Sequence, residues 1–255
     1  DEWLSFVLIG RVDSAHCSSS NRREFLVLLR ETSFSVRGMN AGYSLGLMRW
    51  LQIRNVRVQA FHFNDECSLE LLKKYSAYME SSPGLRELHV HNDCDGKASI
   101  MQVRQKFSQL QVLTVKFLTL PKVRKVDDLI SAAKASIRKV SLQGEFTDKR
   151  IIEALSQCSQ LRSLAISPVD DSCIEIITSL CPRICNLDLS NNPFLTDAGL
   201  HKALLNLTEL RSLSIFACHS VRKLTIGLLR DRFASTLETL HVSDSQMACA
   251  TPEEV

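Results

Sequence analysis

The sequence predicts an α/β solenoid, with parallel strands side by side in one layer and helices packed along the other. Three observations predict it. An apolar triplet, spaced apolar-x-x-apolar-x-apolar, recurs eight times at intervals of 23 to 27 residues. Between successive triplets lie segments long enough for two to three helical turns, each with one apolar stripe. The composition, 45% hydrophobic and 23% charged, supports a sizeable core in an ordinary globular chain.

The N-terminal residues 1–55 stand outside the triplet frame and read as a helical cap. Trp3, Leu4, Phe6, Val7, Leu8 and Ile9 form one apolar run. A second helix-length segment starts after Ser18, Ser19, Ser20 and Asn21, which supply the capping chemistry, and carries Phe25, Leu26, Val27, Leu28 and Leu29. Phe34 and Val36 fit a degenerate first strand, and residues 42–54 a helix with Leu45, Leu47, Met48, Trp50 and Leu51.

From residue 56 to 245 the frame can be counted. The triplets are Val58/Phe61/Phe63, Leu85/Leu88/Val90, Leu110/Leu113/Val115, Ile137/Val140/Leu142, Leu161/Leu164/Ile166, Ile184/Leu187/Leu189, Leu210/Leu213/Ile215 and Leu237/Leu240/Val242. Helices are predicted over 68–81, 98–107, 126–135, 148–156, 172–180, 196–205 and 221–233. A fixed apolar pattern with a period of about 20–29 residues is the signature of a leucine-rich-repeat solenoid. One strand–helix unit cannot bury its apolar face alone, whereas a stack of them buries a continuous core. Helices are wider than strands, so such a stack should curve and leave a concave sheet surface open. Residues 246–255 read as a C-terminal tail. No convincing cap follows Val242, so a further repeat or a partner over the last strand is expected.

Bulk properties narrow the function classes. A net charge of +3 is too small for the basic stripe of a nucleic-acid protein. The basic runs Arg22-Arg23, Lys73-Lys74 and Lys122-Val123-Arg124-Lys125 have no aromatic platforms beside them and read as solvated faces. No apolar stretch is long enough for a membrane span. Nine cysteines, an odd number spread along the chain, suit reduced thiols in a cytosolic, nuclear or organellar protein better than a disulfide framework. The chain opens on Asp1 and carries no intact targeting peptide, so a fragment or a processed product is expected.

Within a strand of this frame, the third, fifth and seventh places should point to the open face. They gather His62, Glu87, His89 and His91 on the first strands and Lys116 and Lys139 on the next. Later strands carry Asn186, Asp188, Ser190 and His241 among small hydroxyls, with Phe216 as the exposed aromatic. These are the candidate protein-binding residues. Ala60 and Thr114 belong to the same face. Three histidines on neighbouring strands could hold a zinc ion or make a pH-sensitive contact, but solvated or partner-facing histidines on an open sheet account for them better. Cys181-x-x-x-Cys185 has no second pair at matching spacing and is explained by packing. No P-loop, GxGxxG, HExxH or GxSxG motif is present. No enzyme activity and no cofactor are expected.

The run Cys181-Pro182-Arg183-Ile184-Cys185-Asn186-Leu187-Asp188-Leu189-Ser190-Asn191-Asn192 resembles the cysteine-containing leucine-rich repeats of F-box proteins. There, a Cys-Pro precedes the strand, a Cys or Asn follows it, and an Ile-Thr-Asp-like start opens the helix. Leu195-Thr196-Asp197-Ala198-Gly199-Leu200 is similar to that start. Cys158 and Cys181 share one phase, three residues before a triplet, and Cys218 falls where Asn192 does. The N-terminal residues Glu2, Leu4, Val7-Leu8-Ile9, Asn21-Arg22-Arg23-Glu24-Phe25 and Leu28-Leu29-Arg30 are similar to the latter part of an F-box. The usual Leu-Pro opening is missing, and Phe25 stands where a Trp is usual. The resemblance implies a protein-binding receptor that docks on a ubiquitin-ligase adaptor through residues 1–40. A helical cap alone, in a structural subunit or assembly factor of a large complex, explains the same residues.

Overall fold

In the computed structural model, eight strands pair side by side in strict chain order, all parallel. They are β1 (Ala60–Phe63), β2 (Glu87–Asn92), β3 (Val112–Phe117), β4 (Lys139–Gln143), β5 (Ser163–Ser167), β6 (Asn186–Asp188), β7 (Ser212–Ser214) and β8 (Thr239–His241). Five helices separate the later strands: α1 (Val126–Ala133), α2 (Lys149–Ser156), α3 (Asp171–Leu180), α4 (Asp197–Asn206) and α5 (Ile226–Phe233). The structure describes residues 53, 60–63, 84–92, 107–117, 126–144, 149–221 and 226–242. The segment 1–52 of the predicted cap, the predicted helix 68–81, all of 98–107 except Phe107, and the tail 246–255 lie outside the described residues.

Parallel neighbours cannot be joined by a tight turn, so each pair needs a crossover connection. The helices provide it from β3 to β8. Their apolar stripes turn inward: Val126, Leu129, Ile130 and Ala133 on α1, and Ile151, Ile152, Ala154 and Leu155 on α2, are all buried. The middle residue of every triplet lies on one ladder. Leu88, Leu113, Val140, Leu164, Leu187, Leu213 and Leu240 are partners in successive strands. All but the last are buried, and they join the helices in one continuous core running from Leu85 to Phe233. Burying each of these side chains is worth roughly 1.5–3 kcal/mol. Leu240 on the final strand is 39% exposed.

The helices α3 and α4 each start one residue away from the sequence expectation, for a local reason. The expectation placed Ser172 and Thr196 at the first helical positions. Instead Asp170 caps α3, its carboxylate accepting from the Cys173 N–H at 2.8 Å and from the Ser172 hydroxyl at 2.8 Å. Thr196 is itself the cap of α4, accepting from the Gly199 N–H at 3.3 Å. Side-chain acceptors at the cap satisfy donors that the helix cannot, so the cap residue stays outside the helix. The predicted 221–233 helix begins at Ile226, and Val221 packs into the core ahead of it.

The turns after the strands repeat as well. Asn191 after β6 and Ala217 after β7 both adopt left-handed backbone, at φ 62° and 55°. Each is followed by a buried residue that ties neighbouring repeats together. Asn192 donates to the carbonyls of Ile166 (2.9 Å) and Leu189 (2.7 Å), and its Oδ1 accepts from the Val169 N–H at 2.6 Å. The Cys218 thiol donates to the Leu189 carbonyl at 2.9 Å.

Candidate functional site

The helices cover one face of the sheet, and the alternation of burial along β4 and β5 shows that they do not cover the other. Parallel sheets are usually buried on both faces. An open face therefore sets this sheet apart and makes it the natural place to look for function.

The strand register assembles that face into rows. Lys139, Ser163, Asn186, Ser212 and Thr239 are partners in successive strands, and Ser141, Ala165, Asp188, Ser214 and His241 form the next row. In β1 to β3, His62, His89 and Thr114 continue the second row. His91, Lys116, Gln143 and Ser167 form a third. Thus Lys116, Lys139, Asn186, Asp188 and His241 lie on the face the sequence assigned them. Two small residues differ from expectation. Ala60 and Thr114 have the right register but are buried, unlike the longer side chains of Lys116 and Lys139 on the same face.

Glu87 and His89 stand two residues apart on β2, with 3.6 Å between Oε2 and Nε2. The backbone register puts His62 beside His89. The side chains of His62 and His91 lie outside the described residues. Among the described residues no three His, Cys, Asp or Glu groups are placed to share a metal ion.

The better-organised part of the face lies between β6 and β8. Asp188 Oδ1 accepts from the Ser190 N–H at 2.9 Å, and the Ser190 and Ser214 hydroxyls are 2.7 Å apart. These bonds hold the small polar groups in place beside Phe216, which is 55% exposed. A second aromatic was missed from sequence. Phe194, 67% exposed, sits in the turn between β6 and α4. That turn is tied to the one after β7, where Ser220 donates to the Pro193 carbonyl at 2.6 Å. Its signal was available: Asn192-Pro193-Phe194 places a large aromatic outside the apolar phase, just before a helix start. Ordered small hydroxyls beside exposed aromatics make a surface suited to packing and hydrogen bonding.

The described cysteines are all free thiols. Cys181 donates toward the carbonyls of Leu155 (3.5 Å) and Cys158 (3.7 Å), and Cys185 toward that of Arg162 (3.3 Å). Burial pushes Cys158 up to about 12, with nearby Cys181 adding to the effect. Cys173 rises to about 11, chiefly by burial and then by its contact with Asp170. Cys181 and Cys218 are also raised by burial. Thiolates are the reactive form, so these groups are suited to packing between repeats.

The fold defines an α/β repeat protein, with parallel strands alternating with flanking helices at repeat-like spacing. No protein-family model matches the chain, and no curated protein matches it in sequence. Among the described residues no helix is long and apolar enough to cross a membrane.

Proposed function

We propose that the chain is a non-catalytic protein-recognition scaffold of the leucine-rich-repeat class, and that it binds its partner through the open sheet face between β6 and β8. The observation that carries this reading is the uncovered face itself. It holds ordered polar groups at Asp188, Ser190 and Ser214 beside exposed Phe216. Aromatic side chains of this kind act as anchors when a partner covers them. The free thiols suit a reducing compartment inside a cell. Affinity capture with Phe216→Ala tests the reading. Loss of a specific protein recovered by the unsubstituted chain supports it, and an unchanged set of captured proteins contradicts it.

The finer reading is an F-box-like receptor that presents a bound protein to a ubiquitin ligase. It rests on the cysteine phase and on residues 1–40. Co-purification decides it: the adaptor should accompany the full chain and be lost when 1–40 is removed. If the full chain never recovers the adaptor, the receptor reading fails.

One observation favours a structural subunit or assembly factor instead. Leu240 opens the core row at the last strand, where its partners in β6 and β7 are buried. An apolar row that ends half-exposed suits contact with a neighbouring subunit. A lone monomer in gentle extracts would contradict this alternative.

A further inference from the structure

One edge of the sheet carries a row of charge that the apolar frame does not account for. The second residue of each triplet repeat unit is joined to its equivalent in the next strand by a backbone hydrogen bond. Gln111 N donates to Arg86 O (2.7 Å), Arg138 N to Gln111 O (2.8 Å), and Arg162 N to Arg138 O (2.9 Å). The run continues with Cys185 N to Arg162 O (2.8 Å), Arg211 N to Cys185 O (2.7 Å), and Glu238 N to Arg211 O (2.7 Å). Four of the first six positions are arginine. Adjacent strands lie about 4.8 Å apart, so the row from Arg86 to Arg211 spans about 24 Å.

The row is electrostatically uneven. At its far end the charges are matched within the chain: Arg183 pairs with Glu209 at 2.9 Å and Arg211 with Glu238 at 2.8 Å. At its near end Arg86, Arg138 and Lys139 are not bonded to any carboxylate among the described residues. Arg86 and Arg138 are exposed, and Lys139 is the first open-face residue of β4. Glu209 shows what the field does to an acid placed against it. The hydrogen bond from Arg183 holds its carboxyl below the usual range, and the charges of Arg183, Arg162 and Arg211 act in the same direction.

We infer that this strand-entry edge, around Arg86, Arg138 and Lys139, docks an extended acidic segment of the partner protein, laid across the strands. The inference rests on the scaffold reading and adds the chemistry of the partner. A carboxylate-bearing peptide fits better than a nucleic acid on two grounds. Among the described residues no exposed aromatic lies on this edge, and exposed Phe194 and Phe216 lie in the turns at the opposite ends of the strands. Glu209 beside the far end of the row and Glu238 after Arg211 also limit the unmatched positive charge to the near end, which leaves room for a short acidic stretch and not for a continuous polyphosphate. Arg86 and Arg138 are two strand spacings apart, about 10 Å, and an extended chain rises about 3.3 Å per residue, so about three residues span the unmatched end.

The test is fluorescence anisotropy on the full chain with a labelled peptide of about ten residues, alternating glutamate and glycine, at about 50 mM salt. The unsubstituted chain should bind it, and salt should weaken the binding. The double variant Arg86→Glu/Arg138→Glu should weaken it about ten-fold or more, because both residues lie in the unmatched part of the row. Arg211→Glu should change it only about two-fold, since its charge is already matched by Glu238. Arg86→Lys/Arg138→Lys should retain binding, and a circular-dichroism melt will confirm that each variant folds. No binding by the unsubstituted chain, equal affinity in the charge-reversed variant, or equally tight binding of an oligothymidylate of the same charge would overturn the inference. The scaffold reading is judged separately, by capture with Phe216→Ala, which does not use the peptide.

Discussion

The Asp171 carboxylate at the start of α3 accepts both the backbone N–H (2.8 Å) and the hydroxyl (2.6 Å) of Thr196, the cap of α4. One side chain therefore ties two successive repeats at their helix starts. Thr196 passes the constraint on by accepting from the Gly199 N–H. Gly199 leaves the room this needs: a Cβ there would collide with the Asp171 carboxylate and lie 2.6 Å from the Asp171 Cβ. Glycine in a helix otherwise costs about 0.5–1 kcal/mol relative to alanine.

Gly199→Ala should therefore destabilise the chain by about 1–2 kcal/mol, the overpacking outweighing the gain in helix propensity. In an Asp171→Ala background the cost should fall, because the carboxylate is gone and only the Cβ of residue 171 still crowds the site. Urea unfolding of the four members of the cycle measures both effects, and purely additive values would refute the close contact.

Asn192→Ala should cost about 3 kcal/mol, because it removes three buried hydrogen bonds and leaves the Leu189 carbonyl with the Cys218 thiol in place of the amide. Cys218→Ala, at the equivalent turn, removes the weaker hydrogen bonding of a thiol and should cost about 1 kcal/mol. If the two variants shift the urea midpoint equally, the asparagine is not the tie described here.

Asp170 gives a pH signature. Its carboxyl is held below the ordinary range, first by the Cys173 N–H and then by the Ser172 hydroxyl. The folded chain thus takes up this proton less readily than the unfolded chain. The stability it contributes is complete above the unfolded value near pH ~3.9 and is lost as the pH falls through the lower folded value. Asp170→Ala should cost about 1 kcal/mol at neutral pH. The gap between variant and parent should narrow as the pH falls below about 4; a gap that stays constant on acidification would exclude the ionised cap.

The buried cysteines should resist alkylation. At pH 8 in native buffer, Cys158, Cys181 and Cys218 should react with iodoacetamide far more slowly than in urea, because their thiols are both buried and held protonated. Peptide mass spectrometry reads the labelling site by site. Labelling of Cys158 at the rate of an exposed thiol would contradict the packing.

Much of the fold was legible because burial along a strand has period two and every repeat places the same residue type at the same register. Leu88 through Leu240 could be aligned by counting alone, and the open-face rows followed from the same count. The helix starts could not be placed to the residue, because capping depends on where a side-chain oxygen ends up, as at Asp170 and Thr196. Phe194 and the arginine row escaped for a different reason. They lie in a turn and at a sheet edge, outside the apolar frame. The unevenness of the row depends on Glu209 and Glu238, whose pairings emerge only when the strands are laid side by side.

The most direct test of the central claim is quantitative affinity capture from native extract, comparing the unsubstituted chain with the double variant Asp188→Lys/Phe216→Ala at matched folding. If the open face is the recognition surface, at least one protein captured by the unsubstituted chain should fall about ten-fold or more with the variant. Recovery of the same proteins at the same levels by both chains would contradict it.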